Sequence, residues 1–83
     1  MFLIRSMPTL LNLNGFKFFF YANEHEPMHI HVSKGDEFAK IELVTLRVTR
    51  NTLKPKDLKQ ALDTTETHQQ AFMEAWRGYF DNR

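Results

Sequence analysis

The residues best suited to chemistry lie in one short stretch, residues 23–32, with the sequence NEHEPMHIHV. This stretch holds three of the four histidines in the chain, together with two glutamates. Imidazole and carboxylate groups at this density can bind a metal ion or carry out acid–base catalysis. The sequence therefore predicts the position of a site, while it leaves open whether the protein is an enzyme and which reaction it catalyses.

One interpretation of the stretch is a metal centre. His29 and His31 lie two positions apart, so on a strand they share one face, with Cα atoms roughly 6–7 Å apart. Two imidazoles at this spacing can bind one divalent ion such as zinc or manganese, with a third ligand from His25, Glu24 or Glu26. The chain has no cysteine, so the ligands would be nitrogen and oxygen atoms only. Histidines that form structural hydrogen bonds and bind no ion are the alternative.

A second interpretation is acid–base catalysis without a metal. His29 or His31 would act as general acid or base, and a carboxylate such as Glu42 or Glu26 would orient its imidazole ring. Four further side chains would stabilise developing phosphate charge: Tyr21, Lys40, Arg47 and Arg50. This set is sufficient to cleave RNA through its own 2′-hydroxyl group. A solvated strand face is the alternative role for the three cations.

A β-hairpin is the first element that would position these residues. Asn14 and Gly15 lie between apolar runs, and this dipeptide favours a type I′ turn because both central residues need positive φ. The turn predicts three cross-strand pairs: Leu13 with Phe16, Leu11 with Phe18, and Thr9 with Phe20. The core face would carry five side chains: Leu11, Leu13, Phe16, Phe18 and Phe20. The opposite face would carry Leu10, Phe19 and Tyr21, which is more aromatic surface than a solvated face requires.

A second hairpin is predicted to carry the histidines. Alternation over residues 29–33 predicts two sets of side chains on opposite faces: Ile30 and Val32 toward the core, and His29, His31 and Ser33 away from it. An even-length turn at residues 35–36 predicts three cross-strand pairs: His31 with Lys40, His29 with Glu42, and Ile30 with Ile41. After Leu43 the alternation changes phase, which fits either a β-bulge or a break before a further short strand.

The last third of the chain has a helical period. Pro55 suits a first helical turn, and Asp57 lies near the positive end of the helix dipole. An apolar stripe follows at helical spacing: Leu58, Ala61, Leu62, Thr65, Phe72, Ala75, Trp76, Tyr79 and Phe80. Both one long helix and two helices separated at Thr64 and Thr65 fit this spacing.

Length and composition indicate a single globular domain. The chain has 83 residues, of which 42% are hydrophobic and 25% charged. We expect one α+β domain over residues 7–83, with residues 1–6 as a flexible leader or a mis-assigned start. It would contain an antiparallel sheet of about four strands, made of the N-terminal hairpin, the histidine-bearing strand and the strand after it, with one or two C-terminal helices on one face.

Charge and hydropathy limit the partners and the location. A net charge of +1 is too balanced to indicate nucleic-acid binding by itself. The sequence has no stretch typical of a membrane span or a secretion signal, and the absence of cysteine fits a reducing compartment. We therefore expect a cytoplasmic protein that does not bind membranes.

A phenylalanine-rich segment, residues 15–22 (GFKFFFYA), leads directly into the histidine motif of residues 23–32. Together with the tripeptides MPT at residues 7–9 and EAW at residues 74–76, this pattern resembles a widespread bacterial family of small domains of unknown function. The family is marked by the motif Asn-Glu-His-x-Pro-x-His-x-His-Val. Ala22 stands where serine is expected, and Met28 stands where proline is common.

The resemblance implies a functional site, catalytic or metal-binding, at His25, His29 and His31, with Asn23 and Glu24 beside them. Members of the family are often encoded next to a second small protein, as in toxin–antitoxin pairs. The implied function is a small cytoplasmic component of such a two-gene system, whose histidine-lined face acts on RNA or binds the partner protein.

Two other functions stay open on the sequence. One is a non-catalytic binding module, in which Phe19, Tyr21 and the histidines contact a partner protein or a second copy of the chain. The other is a metal-dependent hydrolase that uses the histidine cluster.

Overall fold

An antiparallel sheet followed by two helices makes up the fold in the computed structural model, which describes residues 9–80. The elements are β1 (Thr9–Leu13), β2 (Phe16–Phe19), β3 (His29–Lys34), β4 (Glu37–Glu42), β5 (Val48–Asn51), α1 (Pro55–Thr67) and α2 (Gln69–Phe80). The strands lie in chain order across one sheet. The predicted α+β class is confirmed, with five strands where about four were expected. The expected leader, residues 1–6, lies outside the described residues.

The first hairpin has the predicted turn. Asn14 and Gly15 have φ values of 55° and 84°, as a type I′ turn requires. Leu13 pairs with Phe16, and the register then shifts between Thr9 and Leu11, so that Thr9 lies opposite Phe19. The prediction that Thr9 pairs with Phe20 is therefore wrong. The sequence gives no local signal for the register shift that causes the difference.

The irregularity in β1 also changes which of its side chains are buried. Leu10, predicted to face outward, packs against the core, whereas Leu13 is 40% exposed. Leu13 lies next to the turn at the end of β1, which is an edge strand of the sheet. On β2 the prediction holds, because Phe16 and Phe18 are buried.

The second hairpin has the predicted register throughout. Its cross-strand pairs include His29 with Glu42, Ile30 with Ile41, and His31 with Lys40. Ile30 and Val32 are completely buried, so His29 and His31 point to the other side of the sheet. We call that side, which carries the odd-numbered residues of β2 and β3, the outer face.

A turn over residues 43–45 explains the change of phase after Leu43. Glu42 and Arg47 bracket this turn, and the Glu42 backbone N–H donates to the Arg47 carbonyl at 2.8 Å. Leu46 has a φ of 61°, which reverses the chain so that β5 can pair with β4. The chain breaks before a further strand, as one of the two explanations predicted, and the pairing of β4 with β5 also shifts register between Lys40 and Ile41.

The C-terminal segment forms two helices that are separated at His68 rather than at Thr64 and Thr65. The hydroxyl of Thr65 donates to the Ala61 carbonyl at 2.8 Å and stays inside α1. The side-chain amide of Gln69, at the start of α2, donates to the carbonyl of Leu43. This bond ties the junction between the helices to the turn after β4.

Aromatic side chains from the sheet and from α2 form the centre of the core. Phe18 contacts Phe72 with ring centroids 5.8 Å apart, and Phe20 contacts Trp76 at 5.3 Å. The helices therefore cover the face that carries Phe18 and Phe20, and the Trp76 ring of α2 also lies 5.0 Å from the ring of His29. Tyr79, which the apolar stripe included, is 42% exposed. Within residues 9–80, no helix combines the length and the apolar character that crossing a bilayer requires.

The packing predicts that Phe18→Ala leaves the domain largely unfolded. Phe18 is completely buried, and truncating such a side chain costs about 3–5 kcal/mol, comparable to the whole stability that a core of this size supplies. Urea denaturation followed by circular dichroism measures the free energy of unfolding. Leu13→Ala is the matched control, because its side chain is partly exposed, and it should cost less than about 1 kcal/mol. Equal costs for the two variants would contradict this description of the core.

Candidate functional site

Three side chains converge on the outer face of the sheet: those of Glu24, His29 and His31. The two histidines project from β3, and Glu24 comes from the loop between β2 and β3. The backbone N–H of Tyr21 donates to Glu24 Oε2 at 2.9 Å, which folds the loop back over the strand. The loop thereby places the Glu24 carboxylate against the two imidazole rings of β3.

The Glu24 carboxylate lies between the two imidazole rings. Glu24 Oε1 is 2.8 Å from His29 Nε2, and Glu24 Oε2 is 2.7 Å from His31 Nε2. One donor atom from each of the three residues can be chosen so that all three lie within 4.8 Å of one another. We call these three residues the Glu-His-His cluster.

The orientation of His29 is fixed from two sides. Its Nδ1 lies 2.8 Å from the carbonyl oxygen of Pro27, and because a carbonyl only accepts hydrogen bonds, Nδ1 carries the proton. In the neutral ring Nε2 then has a lone pair that faces a carboxylate oxygen. Two acceptors at this distance need a cation or a second proton between them. The ring is 4% exposed and lies 5.0 Å from the Trp76 ring.

His31 lies between two aromatic rings. Phe19 stacks on it with centroids 5.6 Å apart, and Tyr21 contacts it edge-on at 4.5 Å. Phe19 faces outward as the hairpin predicts, but it is buried because His31 covers it. Of the two aromatic residues expected on the surface, Tyr21 is the exposed one, at 46%.

The pKa shifts of His31 and Glu24 favour the protonation states that metal ligands need. Burial lowers the pKa of the His31 imidazole, although the Glu24 carboxylate acts in the opposite direction. Burial alone would raise the pKa of Glu24, but hydrogen bonds from the Tyr21 backbone and from His29 outweigh it, so this pKa is lowered. A neutral imidazole and an ionised carboxylate are the forms that bind a cation.

The other predicted ligands lie outside the cluster. His25 and Glu26 are exposed, and they line a shallow concavity of about 290 Å³ beside Glu24 and His29. The peptide bond between Glu26 and Pro27 is cis. Among the three candidates for a third ligand, the structure brings Glu24 to the two histidines.

Glu42 lies opposite His29 on the neighbouring strand, but its side chain forms hydrogen bonds with other residues. Its carboxylate accepts hydrogen bonds from the Arg47 guanidinium at 3.4 Å and from the Thr45 hydroxyl at 3.1 Å. These two bonds lower the pKa of Glu42. Within residues 9–80, neither Glu42 nor Glu26 bonds an imidazole ring, and the turn at residues 43–45 brings Arg47 back to Glu42. Glu24 orients both rings instead.

A second concavity of about 410 Å³ contains His31. Its lining residues are Tyr21, His31, Phe38, Lys40 and Arg50. The sequence analysis did not single out Phe38, although alternation along β4 places it on the same face as Lys40. Lys40 lines both concavities, so it lies where they meet.

The sequence of the chain matches that of a known family over residues 15–77. The family is described as "Domain of unknown function (DUF4160)", and the match includes every residue of the Glu-His-His cluster. The chain belongs to the DUF4160 family. This confirms the resemblance to a family of domains of unknown function. No curated protein and no solved structure matches the chain.

The Glu-His-His cluster of this DUF4160 domain fits a divalent cation. Two imidazole nitrogens and one carboxylate oxygen form a common ligand set for zinc, iron and manganese. The bond from His29 Nδ1 to a backbone carbonyl is the type of outer contact that orients metal-binding histidines in general. The fourth histidine, His68, takes no part, because its ring stacks on Phe72 at 5.7 Å and bonds the Thr64 carbonyl.

The contact with Pro27 predicts the tautomer of His29. We expect the Nδ1 nitrogen of His29 to carry a proton and to show a one-bond ¹⁵N–¹H coupling. Free neutral histidine, by contrast, prefers the tautomer with the proton on Nε2. Long-range ¹⁵N–¹H correlation spectra of the labelled protein distinguish the two forms. The exposed His25 is the internal control and should behave like a free histidine. A His29 ring without a proton on Nδ1 would contradict the geometry of the cluster.

Proposed function

We propose that this DUF4160 domain is a divalent-metal-dependent hydrolase, with the ion bound by Glu24, His29 and His31. The observation that carries the proposal is that one donor atom from each of these three residues lies within 4.8 Å of the other two, with His29 buried and Glu24 and His31 half-buried. Zinc and manganese are the ions that we expect. Three protein ligands leave at least one position for water or substrate, which is the arrangement of catalytic sites rather than of structural ones.

The bonding of the histidines supports a metal ion over a metal-free acid–base pair. Both ring nitrogens of His29 have partners, Pro27 and Glu24, so this ring has no nitrogen left for a substrate. Of the four ring nitrogens of His29 and His31, only His31 Nδ1 is without a hydrogen bond to residues 9–80. A mechanism with one histidine as acid and another as base would need a second free nitrogen.

The remaining chemistry follows from the positions of the chain's own cations. A zinc ion held by Glu24, His29 and His31 would lower the pKa of a coordinated water to about 7 and would polarise the oxygen that it contacts. Lys40 is the cross-strand neighbour of His31, and Arg50 is that of Lys40. Both cations therefore lie on the open side of the cluster, where they stabilise negative charge that develops on a substrate.

The proposal predicts that Glu24→Gln abolishes metal binding and hydrolysis together. We expect wild-type protein, purified without a histidine tag, to bind one equivalent of zinc or manganese by titration calorimetry, and to hydrolyse bis(p-nitrophenyl) phosphate. Losing a direct ligand should weaken metal binding by at least about 100-fold, since loss of outer contacts alone costs 10–100-fold.

Glu26→Gln is the matched control for this experiment, because it makes the same chemical change on an exposed side chain of the same loop. It should leave affinity and rate unchanged. His25→Ala should do the same. Wild-type protein with no saturable metal binding, or a Glu24→Gln variant that binds like the wild type, would overturn the proposal.

A second candidate function is a binding role in a two-gene, toxin–antitoxin-like system. It is supported by two exposed aromatic side chains on the outer face, Tyr21 at 46% and Phe38 at 40%. A partner protein, or a second copy of the chain, would cover both of them.

The second candidate predicts that Phe38→Asp breaks a complex without unfolding the domain. Light scattering gives the mass of the wild-type protein alone and after co-expression with the product of the adjacent gene. We expect the charge to dissociate whichever assembly forms, because it would be buried without a partner. Leu13→Asp, at the other end of the sheet, is the control. A monomer under both conditions, or an assembly that Phe38→Asp leaves intact, would reject this candidate.

A further inference from the structure

We propose that the substrate class of this site is single-stranded nucleic acid. A phosphate group would lie between Lys40 and Arg50, and a base would stack on Tyr21 or Phe38. The cleavage of such a strand rests on the proposed metal-dependent hydrolase function, whereas its binding does not. The two parts can therefore be tested separately.

A row of four residues crosses the sheet at the level of the cluster. From β2 to β5 the cross-strand neighbours are Phe19, His31, Lys40 and Arg50. Neighbouring strands are about 4.8 Å apart, so the two cations are adjacent and the nearer one lies beside His31. A phosphate bound by both cations is thus next to the open side of the proposed metal site.

The charges of the outer face favour an anion in this position. Neither Lys40 nor Arg50 forms an ion pair with an acidic residue among residues 9–80. Three other cations in this part of the chain are paired: Lys34 with Asp57, Arg47 with Glu42, and Lys59 with Asp63. Four more form no ion pair within residues 9–80 but do not line this concavity: Lys17, Lys54, Lys56 and Arg77. The acidic groups nearest to the row are also engaged, since Glu24 bonds the histidines and Glu42 bonds Arg47. Two unpaired positive charges remain in the concavity.

The aromatic side chains of the concavity indicate what accompanies the phosphate. Tyr21 and Phe38 lie with the two cations around one concavity of about 410 Å³, and both rings are exposed. A positively charged groove with exposed aromatic rings is the usual platform for single strands, because every unpaired base has a face that can stack. The bases of a duplex are stacked on each other and cannot use such rings.

The two concavities meet at Lys40, which connects binding to the proposed chemistry. Lys40 lines the concavity that contains Glu24 and His29 as well as the one that contains Tyr21 and Phe38. A strand that lies across Lys40 therefore reaches both sides of the Glu-His-His cluster. Because the two cations bind the phosphate backbone of the strand, we expect this binding to be independent of the base sequence.

The test measures binding without cleavage. A fluorescently labelled single-stranded RNA of about twelve nucleotides, within the usual site sizes, is titrated with full-length protein in the presence of EDTA. DNA of the same sequence and the corresponding duplexes form the other arms. Fluorescence anisotropy gives the dissociation constant at several salt concentrations. We expect one or both single strands to bind more tightly than the duplexes.

Two variants separate the contributions of charge and stacking. Lys40→Ala/Arg50→Ala should weaken binding by at least about tenfold and reduce the slope of log K against log[salt] by about 1.4, the value for two phosphate contacts on a single strand. Phe38→Ala should weaken binding by about tenfold with an unchanged slope. Lys54→Ala/Lys56→Ala removes the same charge from two exposed positions at the start of α1 that form no ion pair within residues 9–80, and it should have no effect. Circular dichroism verifies that each variant is folded.

Several outcomes would overturn the proposal. These are no binding of either single strand, equal or tighter binding of duplex, or equal losses in the outer-face and α1 charge variants. Hydrolysis of bis(p-nitrophenyl) phosphate without strand binding rejects the substrate class and keeps the metal-dependent hydrolase. Strand binding that survives in a Glu24→Gln protein, with no hydrolysis by the wild type, rejects the hydrolase and keeps the strand-binding face.

Discussion

The burial of the phenylalanine side chains of β2 is the interaction on which the rest of the structure depends. Phe16 and Phe18 are buried on one side of the sheet, where Phe18 contacts the ring of Phe72 on α2. Because successive side chains of a strand alternate, fixing these two also directs Phe19 to the other side, where it supports His31. One strand thus anchors the helices on one face and a ring of the candidate site on the opposite face.

The Glu-His-His cluster lies at the border between this core and the solvent. Burying the Glu24 carboxylate is unfavourable by itself, and it is compensated by the Tyr21 backbone N–H and by two imidazoles. His29 is in turn held by a backbone carbonyl and by Trp76 from α2. The charged groups are therefore fixed before any substrate arrives, which limits the reorganisation that binding or catalysis would require. Burying these polar groups lowers the free energy of unfolding of a domain that is already small.

Sequence reasoning predicted the parts of this molecule that depend on local rules. The Asn14-Gly15 turn predicts the pair of Leu13 with Phe16. The alternation along β3 and the even-length turn at residues 35–36 predict that His31 lies opposite Lys40. The choice between Glu24 and Glu26 as partner of the histidines was not predictable, since it depends on how an irregular loop folds back. The contact between Trp76 and His29 was equally inaccessible, because it joins two elements that are distant in the sequence. The change of phase after Leu43 allows the further strand β5. The reversal at Leu46 before it was not predictable, because a residue with a Cβ rarely adopts a positive φ.

Trp76 has a further consequence, because it is the only tryptophan in the chain. Its indole ring lies at the centre of the core, and the nearest ring of the candidate site, that of His29, is 5.0 Å away. The indole ring is almost completely shielded from solvent. A charge that binds at His29 Nε2 therefore changes the electric field at the indole with little screening by water. The intrinsic fluorescence of the protein is therefore a built-in optical probe that reports on the occupancy of this site, without any label and without a change to a single residue.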